Sequence, residues 1–371
     1  MKLQDIARKL NAIRAEDEVG TNCVKVLLYG QEFTCLGIST LADKDGNRLT
    51  EQNFNYLGRL SCGLFRVRVP SGKFGYIGTD GQFAIPPIYD DADDFSEDVA
   101  WAERDGKLFI LSKTGEETSP EPLPDGEFVT VEPFVNGFSR VSTVDMHVAS
   151  VIPRLAYPHD DAKNAGVWGY VDKTGKLIVA PRYIFAVDFC SRGYAFVCAG
   201  EWVVDEELAD KYNVDLYWSK TMKWGAIDST GREVVPCQFR NIKWRPSPYI
   251  DWERDRFPIT RKYLAAQDDS GKWGLIDYEG NWAVQPQFAE IGCLEQTSPN
   301  GDMFVFYARE INYDDDQEEV PCGVYSISKQ AVLIPADKYL SIEFLSNTKV
   351  EATERSDLGG CVTISLSKRR R

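Results

Sequence analysis

Apolar and polar positions alternate with a period of two along most of the chain, in short runs broken by glycine, proline and aspartate. In "GVWGYVDKTGKLIVAP", residues 166–181, one run ends at Asp172, a turn follows, and a second run ends at Pro181. Such alternation predicts half-buried β-strands joined by tight turns. The N-terminus differs: Leu3, Ile6, Leu10 and Ile13 follow a helical period. This predicts an amphipathic helix within residues 1–20 that caps one edge of the β-structure.

The alternating stretch recurs. Counted from Trp168, Gly169 stands at +1, Asp172 at +4, Gly175 at +7, Pro181 at +13, Tyr183 at +15 and Phe189 at +21. Trp224 starts a second copy with Gly225, Asp228, Gly231 and Phe239, its proline one place early at Pro236. Trp273 starts a third with Gly274, Asp277, Gly280, Pro286 and Phe288, and Phe74 a fourth with Gly75, Gly81, Pro87, Tyr89 and Phe95. Weaker copies begin near Leu36 (with three residues inserted at the turn), Leu108 and Cys322. About seven units result, a period that marks a tandem-repeat architecture.

Each offset suits a physical task. Asp172 opens a turn by accepting backbone N–H groups, and Gly175 supplies the positive φ that a hairpin needs. Tyr170, Leu177 and Val179 suit a pleated, half-buried surface. Pro181, with no N–H to donate, is expected to stop the ladder, and Gly169 to leave room for the tryptophan. The aromatics at +15 and +21 would seal the layer between neighbouring units. A further β-type run precedes each copy ("GLFRVRV", "DVAWAE", "GYAFVC", "KYLAAQ"), so a unit is read as three strands that stack on the next unit to close a core. The fold class is therefore all-β, either a propeller-like ring or an open β-superhelical array, with a short N-terminal helix.

Lys223-Trp224-Gly225, Lys272-Trp273-Gly274 and Trp168-Gly169, each followed by Asp-x-x-Gly and an aromatic, resemble the WG-repeat (KWG-repeat) family of bacterial proteins. The resemblance spans roughly residues 30–345 and is densest over 73–95 and 166–295. It implies a β-repeat domain over 21–366, with unit starts near 36, 74, 108, 168, 224, 273 and 322, followed by a basic tail at 367–371. It also implies an interaction scaffold rather than an enzyme.

Charge narrows the partners. A net charge of -15 and a pI near 4.8 disfavour nucleic acid and anionic membrane, both polyanions, and favour a basic protein or peptide. The 9 cysteines are scattered with no CxxC pair, and no apolar leader or spanning segment is present in the sequence, so a reduced, cytoplasmic protein is expected. No oligomeric state is implied.

Function is expected where the repeat is interrupted. The segment 145–166 holds both histidines, His147 and His159, beside Asp160 and Asp161. The insert 241–263 mixes Trp244, Tyr249 and Trp252 with Arg245, Arg254 and Arg256, the residue types enriched at binding hot spots. Binding is accordingly assigned to Tyr249, Trp252, Arg245, Arg254 and Trp244. The acidic runs Asp90, Asp91, Asp93, Asp94 and Asp314, Asp315, Asp316, Glu318, Glu319 read as solvated loops that give one face a negative field. No nucleophile elbow, P-loop, HExxH or dinucleotide fingerprint occurs, so neither catalysis, cofactor nor metal is expected. A small-ligand or carbohydrate binder and a carboxylate-based hydrolase are the alternatives.

Overall fold

The alternating runs form strands, and the strands assemble in chain order into antiparallel meanders. The computed structural model describes residues 2–10, 12–18, 20–28, 38–124, 126–143, 167–200, 203–204, 217–218, 221–243, 262–292, 296–311, 319–354 and 360–366. Sheet B contains Tyr56–Ser61, Leu64–Arg68, Phe74–Gly78 and Phe83–Tyr89 in that order. Sheet C contains Asp91–Ala92, Val99–Arg104, Lys107–Ser112 and Glu117–Thr118, and sheet D contains Thr130–Val131, Phe138–Ser142, Trp168–Asp172 and Leu177–Tyr183. Sheet E (Phe185–Ala186, Tyr194–Ala199, Lys223–Asp228, Glu233–Phe239) and sheet F (Asn241–Lys243, Leu264–Gln267, Trp273–Ile276, Trp282–Phe288) repeat the plan. Sheet A has three strands, Ala12–Asp17, Cys23–Leu28 and Ile38–Asp43. Sheet G has six: Glu290–Ile291, Met303–Tyr307, Cys322–Ser326, Ala331–Ser346, Lys349–Glu354 and Cys361–Ser365.

The repeat unit thus has four strands rather than three. The missing one is the short segment that follows the +15 aromatic: Tyr183 is followed after one residue by Phe185–Ala186, and Phe239 by Asn241–Lys243. A two-residue strand is too short to show alternation. The helix is also shorter than its periodicity suggests. It covers Leu3–Lys9, and Ile13 lies in Ala12–Asp17, which pairs with Cys23–Leu28. Ile6, fully buried, packs the helix against Val24, Val26 and Ala42.

Two compact units divide the chain, the first holding sheets A–D and the second sheets E–G. In the first, Leu41, Phe54, Leu57, Phe65 and Ile77 fill the layer between sheets A and B. Tyr76, Ile85, Tyr89, Phe95 and Leu111 fill the next layer, and Trp101, Ile110, Phe134 and Val171 the one after. In the second, Phe196, Val235, Phe239 and Ile276 join sheets E and F, while Leu275, Phe288, Phe304 and Tyr325 join F and G. Of the +15 and +21 aromatics, Tyr89 and Phe95 lie between sheets B and C, Phe239 between E and F and Phe288 between F and G, and Tyr183 and Phe189 are buried.

The register explains the Trp-Gly pair. Trp224 lies opposite Phe239 and Ala226 opposite Val235, so four residue steps on the outer strand face two on the inner one. Sheets B and F repeat these pairings, with Phe74 opposite Tyr89 and Trp273 opposite Phe288. The proline sits in this wide bulge, where its missing N–H costs no ladder bond, and the strand runs on past it. The outward loop of the bulge folds over the glycine. A Cβ on Gly75 would lie 2.7 Å from Pro87 N and 2.8 Å from Ile85 O; on Gly274 it would lie 2.9 Å from Pro286 N. The glycine therefore makes room for the neighbouring backbone, not for the tryptophan. Sheet C supplies the control. Phe109 replaces the glycine there, the pairing is regular, and the outer strand stops after Glu117–Thr118.

At the hairpins, Gly175 has φ +84 and donates to Asp172 O at 3.0 Å, while Asp172 Oδ1 accepts the N–H groups of Thr174 and Lys176 at 2.8 and 3.1 Å. This is the expected turn. The same turn in sheet A, Asp43 to Gly46, fixes Ser39 as the zero position, with Phe54 opposite Ser39. The first unit therefore begins at Ser39 and needs no insertion. Its +1 residue, Thr40, is buried with its hydroxyl 2.7 Å from that of Thr50, where sheets B and D–G have glycine.

Candidate interaction surface

The sheet registers align one row of residues that the sequence does not bring together. In each sheet, the residue on the second strand that faces the +2 position has a neighbour on the first strand. In sheet A these are Lys25 and Glu16, paired directly across the strands. In sheet B the second-strand member is Arg66, opposite Tyr76. In sheet C it is Trp101, whose carbonyl accepts the N–H of Asp93. In sheet D it is Arg140, whose carbonyl accepts the N–H of Glu132. The corresponding second-strand residues of sheets E, F and G are apolar: Phe196, Ala265 and Val305. On the second strand, charge in this row is confined to sheets A, B and D, while on the first strand of sheet F Lys243 stands opposite Ala265.

Arg66 organises the middle of the row. Its Nε lies 3.0 Å from Asp94 Oδ1 and its Nη1 3.9 Å from Asp93 Oδ1, and it also donates to Ala92 O and to Tyr56 Oη. The guanidinium stacks 5.1 Å from the Tyr56 ring centroid and 5.8 Å from that of Phe74. Burial works against its charge, yet Tyr56, Asp94 and Asp93 hold it firmly protonated. One cation here serves several carboxylates. Burial, with Asp91, Asp94 and Glu132 nearby, outweighs the pull of Arg66 and pushes Asp93 up to about 6. Arg140 stands 3.9 Å from Glu132 and 5.0 Å from the Trp168 ring centroid. Lys25 lies 3.7 Å from Glu18.

The first-strand carbonyls along the row are capped by the preceding sheet. Tyr76 Oη donates to Asp93 O at 2.6 Å, and Trp101 Nε1 donates to Glu132 O at 3.2 Å and to Ser139 Oγ at 2.9 Å. Glu97 ties sheet C to sheet D through the N–H groups of Asn136 and Gly137 and through Lys173, 2.9 Å away.

The acidic run Asp90–Asp94 is therefore not a solvated loop. Asp90 pairs with Lys73 at 2.6 Å and accepts Asp105 N–H, Asp91 begins a strand, and Asp93 and Asp94 flank Arg66. Alternation of two-residue strands is invisible in sequence, so a run of aspartates there reads as loop. Between sheets A and B, Glu16, Lys25, Val26, Leu27, Ser39 and Leu57 line a cavity of about 110 Å³. Sites for drug-sized ligands run to about 300–1,000 Å³.

Tyr249, Trp252, Arg245, Arg254 and Trp244 lie outside the described residues, as do His147, His159, Asp160, Asp161 and Asp314–Glu318. Of the repeat tryptophans, Trp168 and Trp273 are buried, and Trp224 is half-buried against the cluster that joins sheets E and F. The cysteines among the described residues are all free thiols, and burial pushes those of Cys198 and Cys322 up to about 12. No helix among the described residues is long and apolar enough to cross a membrane.

No curated protein matches the chain. Among solved structures, a eukaryotic initiation factor is similar at a TM-score of 0.35 and 10% identity, over 96% of this chain and 85% of that one. The computationally designed Ika8 protein is similar at 0.30 and 10%, over 93% and 94%. The Dos1 propeller is similar at 0.30 and 9%, over 96% and 92%. Likenesses at this level carry no functional information. The family model described as the WG containing repeat matches residues 74–107, 168–201, 224–243 and 273–296. Those segments start at the Phe74-Gly75, Trp168-Gly169, Trp224-Gly225 and Trp273-Gly274 pairs whose glycines admit the bulge, and the chain carries the WG-containing repeat at these four places.

Proposed function

We propose that this chain is a non-enzymatic protein-binding scaffold whose partner is a basic protein or peptide. The observation that carries the reading is the division of labour among residues. Where a unit carries them, the tryptophan, glycine, aspartate and proline are consumed in packing, bulge and turn, whereas the charged second-strand residues of sheets A, B and D have apolar counterparts in E–G. Along that row Glu16, Asp93, Asp94 and Glu132 outnumber Lys25, Arg66 and Arg140, and the chain as a whole carries -15. A cation from a partner would relieve carboxylates that crowd one another around Arg66.

The interruptions of the repeat extend the same reading. Residues 143–167 join the second and third strands of sheet D, and 308–321 join those of sheet G; 244–263 join the first and second strands of sheet F. Their composition, acidic at 314–319 and aromatic with arginine at 244–256, suits protein contacts. The test is affinity capture from native extract, comparing the intact chain with a 244–261 deletion and with the combined variant Asp93→Asn, Asp94→Asn, Glu132→Gln. Partners lost from either variant, and eluted from the intact chain by salt, support the reading. Specific partners retained by both variants overturn it.

A further inference from the structure

Successive sheets of the first compact unit fill the layers between them in one way, and the layer between sheets A and B departs from it. Sheet B sends Tyr76 into the layer shared with sheet C, where its hydroxyl caps Asp93 O. Sheet C sends Trp101 into the layer shared with sheet D, where its indole caps Glu132 O. In sheet A the residues at these two register positions are Leu41, the +2 residue, and Lys25, which faces it. Leu41 is fully buried, but it is smaller than an aromatic side chain and has nothing to donate. Beside it lies the cavity of about 110 Å³ that Glu16, Lys25, Leu27, Ser39 and Leu57 help to line.

The register spreads polar groups across this cavity. Glu16 lies on the first strand, Lys25 and Leu27 on the second and Ser39 on the third, while Leu57 closes the space from sheet B. The Lys25 side chain is 18% exposed, and its Nζ stands 3.7 Å from Glu18 Oε1, beyond hydrogen-bond length. Neither this ammonium nor the Ser39 hydroxyl hydrogen-bonds to a described residue. An ammonium so largely enclosed is costly without acceptors.

The lining selects by charge and by size. A simple carboxylic acid would bring a further anion against Glu16, with Glu18 close to Lys25; a simple amine would bring a second cation against Lys25. A zwitterion satisfies both ends at once. A cavity of about 150 Å³ holds benzene, so one of about 110 Å³ takes about five heavy atoms, the size of glycine.

We infer that this cavity binds the smallest α-amino acids, glycine first. The ligand carboxylate accepts from Lys25 Nζ and the Ser39 hydroxyl, its ammonium donates to Glu16, and its methylene rests on Leu27 and Leu57. The site is independent of the protein-binding reading and is measured with no partner present.

Titration of the full chain followed by backbone amide NMR tests this. Glycine is expected to give a saturable response centred on residues 24–28 and 39–41. Acetate and methylammonium, each offering one charge, should bind at least about tenfold more weakly, and leucine, too large for the space, should give no response. Lys25→Gln and Ser39→Ala should each weaken glycine binding by about tenfold or more. Leu57→Phe, which fills the cavity, should abolish the response; circular dichroism checks that each variant is folded. No saturable response to glycine, acetate binding as well as glycine, or glycine affinity unchanged in both Lys25→Gln and Ser39→Ala overturns the inference.

Discussion

Replacing Gly75 by alanine probes the bulge directly. The new methyl carbon would sit 2.7 Å from both Pro87 Cα and Pro87 N and 2.8 Å from Ile85 O. All three are backbone atoms of the outer strand, so no side chain can rotate away. Van der Waals contact requires about 3.5 Å, and the bulge would have to lift by most of an ångström. Ile85 and Tyr89, both 1% exposed and packed against sheet C, resist that movement. Overpacking of this kind costs about 1–3 kcal/mol, and a rigid backbone neighbour places Gly75→Ala near the upper end. The alanine recovers about 0.5–1 kcal/mol of chain entropy, leaving a net loss of about 2 kcal/mol. In a thermal melt this is a fall of roughly 5 °C in Tm. Gly360→Ala is the matched control, because a Cβ there meets nothing within 4 Å. A Gly75→Ala protein whose melt matches that of Gly360→Ala would refute the bulge explanation of the Trp-Gly pair.

Three further predictions concern polar side chains. Aspartates whose pKa shifts run in opposite directions separate in a pH series: Asp93 is raised to about 6, so its contribution is present below about pH 4 and lost as pH rises through 6. Asp93→Asn should therefore stabilise the neutral-pH protein by about 1 kcal/mol, a figure reduced for solvent screening because the side chain is 41% exposed. The Thr230 hydroxyl holds the Asp228 carboxyl below the usual range, so Asp228 contributes above about pH 4 and fails in acid; Asp228→Asn should flatten the acid limb of the urea midpoint. In sheet A, Thr40→Val strands the buried Thr50 hydroxyl and should cost about 1–3 kcal/mol by urea titration, while the double replacement with Thr50→Val recovers most of it.

Much of the fold was legible because its signals are local. The Asp-x-x-Gly turn, the strand pair around it and the sealing aromatics each follow from a few adjacent residues, and all are found where the offsets placed them. What escaped was register. The wide bulge, the role of the glycine beneath it and the fourth, two-residue strand all depend on which residue faces which across strands, and alternation within a single run does not encode that. Ser39 shows the same limit: serine and threonine replace Trp-Gly, and the unit start is fixed by the Asp43–Gly46 turn together with the opposition to Phe54. The charged row was hidden for a similar reason. Lys25, Arg66 and Arg140 are far apart in sequence and come to equivalent positions only once the sheets are in register. The aspartates beside Arg66 were visible as a run, but nothing in the run indicates that an arginine 27 residues upstream packs between them.

The separation of scaffold from binding surface is tested most directly by measuring stability and partner capture on the same two variants. Trp168→Phe, which installs the residue that sheet B already carries at this position, should lower Tm and retain the captured partner. Asp93→Asn should weaken capture of the partner while its Tm holds or rises. The reverse pattern, with the partner lost from Trp168→Phe and retained by the charge-row variant, would make the repeat tryptophan the site and contradict the account.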